Sequence, residues 1–444
     1  MTNRTLKNSA EFVEWCKSHF QLVESSMNGE SEAPFHQTRR EALARFADLG
    51  VPSTRDEEWK YTNLAPILKQ DFAIVQQHKS LKKEDLQDFV FAGLEDRTLV
   101  FVNGVFSQEL STFDFSSEQI QIASLREALE KGDAAAEKFI AKQAKFENHP
   151  FVALNTAFTL DGAFIQIPDN VELSKPLHIL QVAVAGAEAF ITHPRMLVVA
   201  GKNSQGHIIE SFHAVGDGVY LSNAVTEYVV GANANIEHVK VQKEHESAFH
   251  IATTEAHLAR DAHFTSSNVD LGAAIARNDL NIVLNDENCV ANLYGFFLAT
   301  GKQLVDNHTF IDHAMPHCES NELYKGILDD RARGVFNGKV MVRKDAQKTN
   351  AYQDNKCLLL TNDATMNAKP QLEIFADDVK CSHGATVGQL EEDALFYLRS
   401  RGIGEESANS LLRYAFASDV FEKIAVDEVR TRLEKEIFAH FGNE

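Results

Sequence analysis

The residues best placed to do chemistry are Cys381 and His383, in the run Asp377-Asp378-Val379-Lys380-Cys381-Ser382-His383-Gly384-Ala385-Thr386. On an extended strand, residues i and i+2 share a face about 6.6 Å apart at the backbone. A thiolate and an imidazole at that spacing can converge on one iron or present themselves to a common partner surface. Two ligands do not close a cluster. Iron–sulfur centres commonly take four thiolates, sometimes with histidine in place of some of them, so further ligands would have to come from another chain. The competing reading is a small core cysteine beside a histidine that bonds a turn, and these residues alone leave both readings open.

A second constellation, Asp312-His313-Ala314-Met315-Pro316-His317-Cys318, holds two histidines four apart next to a cysteine. Pro316 argues against a helix, so the spacing that would bring both imidazoles to one helical face does not apply, and the segment reads as a bend, with metal binding as its rival. The histidines at 238, 245, 250, 257 and 263 are dispersed along β-rich sequence, where hydrogen-bonded or exposed imidazoles are the default. Cys289 reads as a packed, small apolar residue. The five cysteines are scattered without a CxxC pair, which argues against a disulfide framework or a self-contained zinc knuckle. No phosphate loop, GxGxxG turn, HExxH or GxSxG motif occurs, so an ATPase, dehydrogenase, metalloprotease or α/β-hydrolase is unsupported.

The elements that must position these residues show a repeat. From about Ala163 to Lys380 short β-rich runs alternate with Gly, Asn and Asp. Aligning Ile208, Ile236, Phe264 and Val290 gives steps of 28, 28 and 26 residues; Val230, Leu258 and Leu284 stand six before their partners, and Asn233, Asp261 and Glu287 supply the turns. Such a period suits one coil of a parallel β-solenoid, whose inward residues stack on those of the next coil; an irregular β-sandwich is the alternative. By the same offset Phe375 stands six before Cys381, which puts Cys381 at an inward position with His383 on the same face.

Upstream, Ala10–Ser25, Gln37–Leu49 and Ala134–Phe146 have helical spacing, and Asn103-Gly104 predicts a tight hairpin between Leu99–Val102 and Val105-Phe106. The aromatic-bearing stretch Arg55–Leu64 reads as an amphipathic docking element anchored by Trp59 and Tyr61. Downstream, helices are expected over Gln389–Arg401, Glu405–Ala417 and Asp419–Phe441, the first closed by Gly402, as a bundle that caps the end of the solenoid. The expected organisation is a mostly helical α/β cap over 1–160, a solenoid core over 161–383 and a helical domain over 384–444. With 64 acidic against 43 basic residues the formal charge is −21, which disfavours nucleic acid and anionic membrane as partners. The polar start, Met1 to Ala10, and the lack of a long apolar run point to a cytoplasmic protein.

Three segments in order, Asp56–Leu64 (DEEWKYTNL), Asp312–Gly326 (DHAMPHCESNELYKG) and Asp377–Ile403, resemble the SufB/SufD family of iron–sulfur cluster assembly proteins, and the likeness covers most of the chain. The SufD-type branch is the nearer one. An N-terminal cysteine cluster common in SufB-type chains is missing, and no acidic pair flanks His383. The resemblance implies a right-handed parallel β-helix that pairs with a SufB-type paralogue and binds a SufC-type ATPase on Gln389–Ala417, with Tyr397, Arg401 and Ile403 among the contacts. It implies a non-catalytic scaffold. The nascent iron–sulfur cluster would be built transiently at the interface between subunits, with His383 and Cys381 contributed from this chain, and with reduced flavin on the complex and self-pairing of the free chain as further expectations. Two rivals from other classes are a carbohydrate-active β-helix enzyme, which the absence of Trp after Trp59 disfavours, and a stand-alone metal-binding protein using His313, His317 and Cys318.

Overall fold

The computed structural model describes residues 8–26, 34–74, 81–113 and 119–442; the polar start up to residue 7 lies outside them. Its centre is a parallel β-solenoid of about eight turns. Each turn contributes one strand to each of two facing sheets. Tyr220–Val230, Phe249–Leu258, Ile275–Leu284, Leu304–His313, Arg333–Val342 and Thr365–Ile374 stack in one; Gln205–Val215, Asn235–Lys243, His263–Asp270, Val290–Ala299, Glu319–Leu328, Asn350–Leu359 and Lys380–Gly388 stack in the other. Inward residues of both sheets form one continuous core, among them Ile208, Tyr228, Ile236, Phe264, Ile282, Leu293, Ile311 and Phe336.

The true register runs Gly206, Ile236, Phe264, Ala291, Ser320, Ala351, Cys381. Coil length therefore varies, and a fixed period slips: Ile208 pairs with His238 and Val290 with His263, two and one residues from the expected alignment. Cys381 does share the column of Ile236. Phe375 does not share that of Val230, which continues through Leu258, Leu284, His313 and Val342 to Ile374. One set of turns places Asn203, Asn233, Asp261, Asn288, His317 and Lys348 at φ between 57° and 64°. Asn and Asp tolerate this left-handed conformation, which is why Asn288 takes the position expected for Glu287. Stacked amides join these turns, with Asn233 Nδ2 donating to Asn203 Oδ1 at 2.9 Å and Asn203 Nδ2 to Asn170 Oδ1 at 2.7 Å.

The N-terminal helices Ser9–Ser26 and Pro34–Leu49 and the helix Pro150–Phe158 cover the outside of the first sheet, burying Phe12, Phe46, Phe151 and Phe158 with Ile251 and Ile275. Pro150–Phe158 has no polar face, being buried almost all round, and so lacks the amphipathic period that reveals a helix in sequence. The helix expected over Ala134–Phe146 stops at Phe139. The buried Glu227 captures the chain there: its carboxylate accepts the backbone N–H groups of Ala141, Gln143 and Ala144 at 3.0 Å and pairs with Arg195 at 2.6 Å. The hairpin at Asn103-Gly104 forms as expected, with φ of 50° and 82°, but its first strand, Arg97–Val102, also pairs in parallel with Leu177–Val184 and so begins the solenoid.

The C-terminal helices are Glu392–Ser400, Glu405–Phe421 and Asp427–Gly442. They do not cap the last coil. The second and third fold back along the outside of the second sheet, packing Val420, Phe421, Val429, Leu433 and Ile437 on Val239, Val241, Phe296 and Ile327. That outward face is apolar and would otherwise meet water, which fixes where the helices lie. Residues 422–426 break the expected Asp419–Phe441 helix, with the Ala425 N–H donating to Glu237 at 2.9 Å. The last strand runs to Gly388, past the expected boundary at 383.

Candidate functional site: the open end of the solenoid

Because the described helices leave the final coil uncovered, Lys380–Gly388 is the edge of the second sheet and, among the described residues, pairs only with Asn350–Leu359. Cys381 lies opposite Ala351 and His383 opposite Gln353. Strand parity places both on the inward face, as the i, i+2 spacing requires. His383 ends a column that starts at Leu177 and continues through Ile208, His238, Ser266, Leu293, Glu322 and Gln353. Each earlier side chain in it is buried, but His383 is exposed because, among the described residues, no further coil covers it. Cys381 is half-buried beside Val340, Ala351 and Ala376; burial pushes its thiol pKa up against a backbone hydrogen bond from Ala351, so the free thiol is protonated at neutral pH. Around this end Tyr352, Ile374, Phe375 and Val387 are exposed, Phe375 at 63%.

Among the described residues no group of three or more His, Cys, Asp or Glu side chains could hold a metal ion. The Asp312–Cys318 constellation is dispersed by the fold. His313 is buried, its Nε2 2.9 Å from Ser320 Oγ, and desolvation lowers its pKa to about 4. His317 is exposed in a left-handed turn, while Cys318 is buried in the next coil beside Cys289. Both thiols donate to the Asp286 carbonyl at 3.2 Å and pack in the core.

Of the expected docking residues Tyr397 lies on the helix Glu392–Ser400, and Arg401 and Ile403 lie just beyond its end. Glu392–Ser400 buries none of its residues, and Phe396 and Tyr397 are 73% and 56% exposed. Arg401 sits 5.0 Å over the Tyr397 ring, and Ile403 is half-buried at the start of the next turn.

Of the two expected anchors Trp59 docks as the sequence suggests, whereas Tyr61 is exposed on the surface. Trp59 is buried under the Arg277 guanidinium at 3.7 Å, and Arg277 pairs with Asp279 and Asp306, each at 2.8 Å. His308 bridges Asp306 at 2.9 Å and Glu58 at 3.4 Å. Sequence reading missed this charged socket, and it missed Glu322 and Gln353 beneath His383. Glu322 lies within the quoted Asp312–Gly326 segment, but only the exact coil register reveals its relation to His383.

Two family models match the chain. One describes the SufBD core domain of SUF-system iron–sulfur cluster assembly and covers residues 182–416; the other describes the SufBD N-terminal region and covers residues 13–179. The chain belongs to the SufBD family. An iron–sulfur cluster assembly SufBD family protein of Synechocystis is 34% identical over 93% of this chain and 92% of its own length. The iron–sulfur cluster assembly protein SufD of Escherichia coli is 31% identical over 93% of both chains, and SufD of Bacillus subtilis 28% over 89% of this chain and 91% of its own. The SufBD core match spans the solenoid from Val182 onward together with Cys381, His383, Tyr397, Arg401 and Ile403.

Proposed function

We propose that the chain is a non-catalytic scaffold subunit of the SUF machinery, joined through its open solenoid end to a SufB-type paralogue, with a nascent iron–sulfur cluster assembled between them. The observation that carries this reading is the unfinished coil. A sheet edge with free backbone groups and exposed Tyr352, Ile374, Phe375 and Val387 surrounds a histidine and a cysteine that supply only part of a ligand set. A second chain can satisfy both deficits, extending the sheet and completing the coordination. His383 is the interface ligand or essential polar group in this reading, and Cys381 its neighbour; metal contact is transient and shared. The free chain pairs with itself through the same edge when no paralogue is present.

A SufC-type ATPase docks on Gln389–Ala417, which includes the exposed helix Glu392–Ser400, through Tyr397, Arg401 and Ile403. Nucleotide-driven closure of two ATPase subunits then shifts the scaffold interface, the two-state element such a mechanism requires. The complex works in the cytoplasm, and reduced flavin on it is the proposed electron source.

The test is reconstitution with the paralogue and ATPase from the same host. His383→Ala should leave the complex intact and lower the rate of cluster formation at least tenfold. Cluster formation at the parent rate by the intact variant complex would remove His383 from the site.

A further inference from the structure

Two buried residues below His383 have no role in the reading above. Gln353 is its neighbour one strand inward, and Glu322 is the neighbour of Gln353 one strand further, about 4.8 Å per step. Gln353 Nε2 donates to Glu322 Oε2 at 2.6 Å, and both side chains are more than nine-tenths buried. The amide reaches across the interior to a place kept clear by glycine: a Cβ at Gly338, on the opposite sheet, would fall 2.2 Å from Gln353 Nε2. With its NH₂ group committed to Glu322, the amide has one free acceptor, Oε1, which has no partner among the described residues.

We propose that Glu322 and Gln353 are positioning residues for His383: the carboxyl orients the amide, and the amide oxygen receives one ring N–H of His383, leaving the other ring nitrogen unprotonated and directed out of the solenoid end. The inference rests on the reading of His383 as an interface ligand. The logic is that of outer-shell control of a ligating histidine, where the bond made by one nitrogen decides the state of the other. A glutamine held only by apolar neighbours could flip; one held by a carboxyl cannot do so without losing that bond. The polar neighbours of Glu322 are uncharged, Thr309 and Gln353, and burial drives its pKa up to about 7. A buried carboxyl without a cation is costly, and this column bears that cost two strands beneath the exposed histidine.

The test uses the full chain with ¹⁵N-labelled histidine, the His383 ring signals being assigned by their loss in His383→Gln. In the parent, long-range ¹⁵N–¹H spectra should show one dominant tautomer for His383. In Gln353→Leu and in Glu322→Gln the ratio should move to that of free imidazole, while the ring signals of buried His238 and His313 stay in place as a check on folding. In the reconstituted complex Gln353→Leu should slow cluster formation at least fivefold. An unchanged tautomer ratio in both variants overturns the proposal even if His383→Ala abolishes assembly. A shifted ratio together with a fully active His383→Ala complex upholds the positioning and refutes the functional reading on which it rests.

Discussion

At the scale of single residues, buried charge is concentrated where the fold needs a fixed geometry. Glu227 shows the constructive use, since one carboxylate ends a helix, satisfies three backbone donors and neutralises Arg195. Glu322 is different. Desolvation raises its pKa from 4.5 to about 7, with the nearby Thr309 hydroxyl and the hydrogen bond from Gln353 only partly opposing this. A carboxyl that holds its proton more tightly when folded favours the native state at low pH, and that contribution is lost as pH rises from about 4.5 through 7. Glu322→Gln, which cannot ionise, should therefore melt above the parent at pH 8, with the difference shrinking by pH 5; thermal denaturation at the two pH values checks this. Cys289 and Cys318 fill space as small apolar groups, and Cys357, buried with its thiol pushed up to about 12, resists alkylation in the folded chain.

The elements are held together by a few sockets. The short turn around Trp59 joins the N-terminal region to the outside of the solenoid through Arg277 and His308. Trp59→Ala removes a large buried ring and should weaken this docking by about 3–5 kcal/mol, read as faster native-state hydrogen exchange across residues 57–64. Burial pulls the His308 pKa down, but Asp306 and the hydrogen bonds to Asp306 and Glu58 outweigh it and the opposing charge of Arg277, leaving the pKa above 6.5. The contribution is complete below about 6.5 and is lost as pH rises through the folded-state pKa. Protection of the same segment, measured as exchange relative to the intrinsic base-catalysed rate, should thus fall above neutrality in the parent and be independent of pH in His308→Gln. The C-terminal helices divide the work between two surfaces: Glu405–Phe421 and Asp427–Gly442 bury the outer face of the second sheet, and Glu392–Ser400 leaves Phe396 and Tyr397 exposed. Phe396→Ala combined with Tyr397→Ala should cost little stability and lower affinity for the ATPase at least tenfold by titration calorimetry.

For the whole molecule, the asymmetry between the two ends of the solenoid is decisive. The N-terminal end is closed by Arg97–Val102 and its hairpin, whereas the C-terminal end stops at Lys380–Gly388 with apolar side chains exposed and, among the described residues, no element over the core. An uncovered sheet edge is a hazard unless another chain occupies it. Phe375→Glu together with Tyr352→Lys should leave the melting temperature nearly unchanged and abolish co-purification with the paralogue, as measured by size-exclusion chromatography.

The solenoid itself was legible in the sequence, because inward apolar residues recurring every coil and Asn or Asp at left-handed turns are local consequences of parallel stacking. So was the pairing of Cys381 with His383 on one face, which strand parity alone imposes. The exact register was not, since coils from Gly206 to Cys381 vary between 27 and 31 residues and a fixed period drifts by one or two positions. The fate of His313, His317 and Cys318 also lay beyond it, because a bend can send nearby residues inward, outward and inward again. Only the tertiary structure decided that the C-terminal helices lie along the sheet, leaving the end of the solenoid open, and that Glu322 stands beneath His383. Both depend on contacts between segments tens to hundreds of residues apart, which local pattern does not encode.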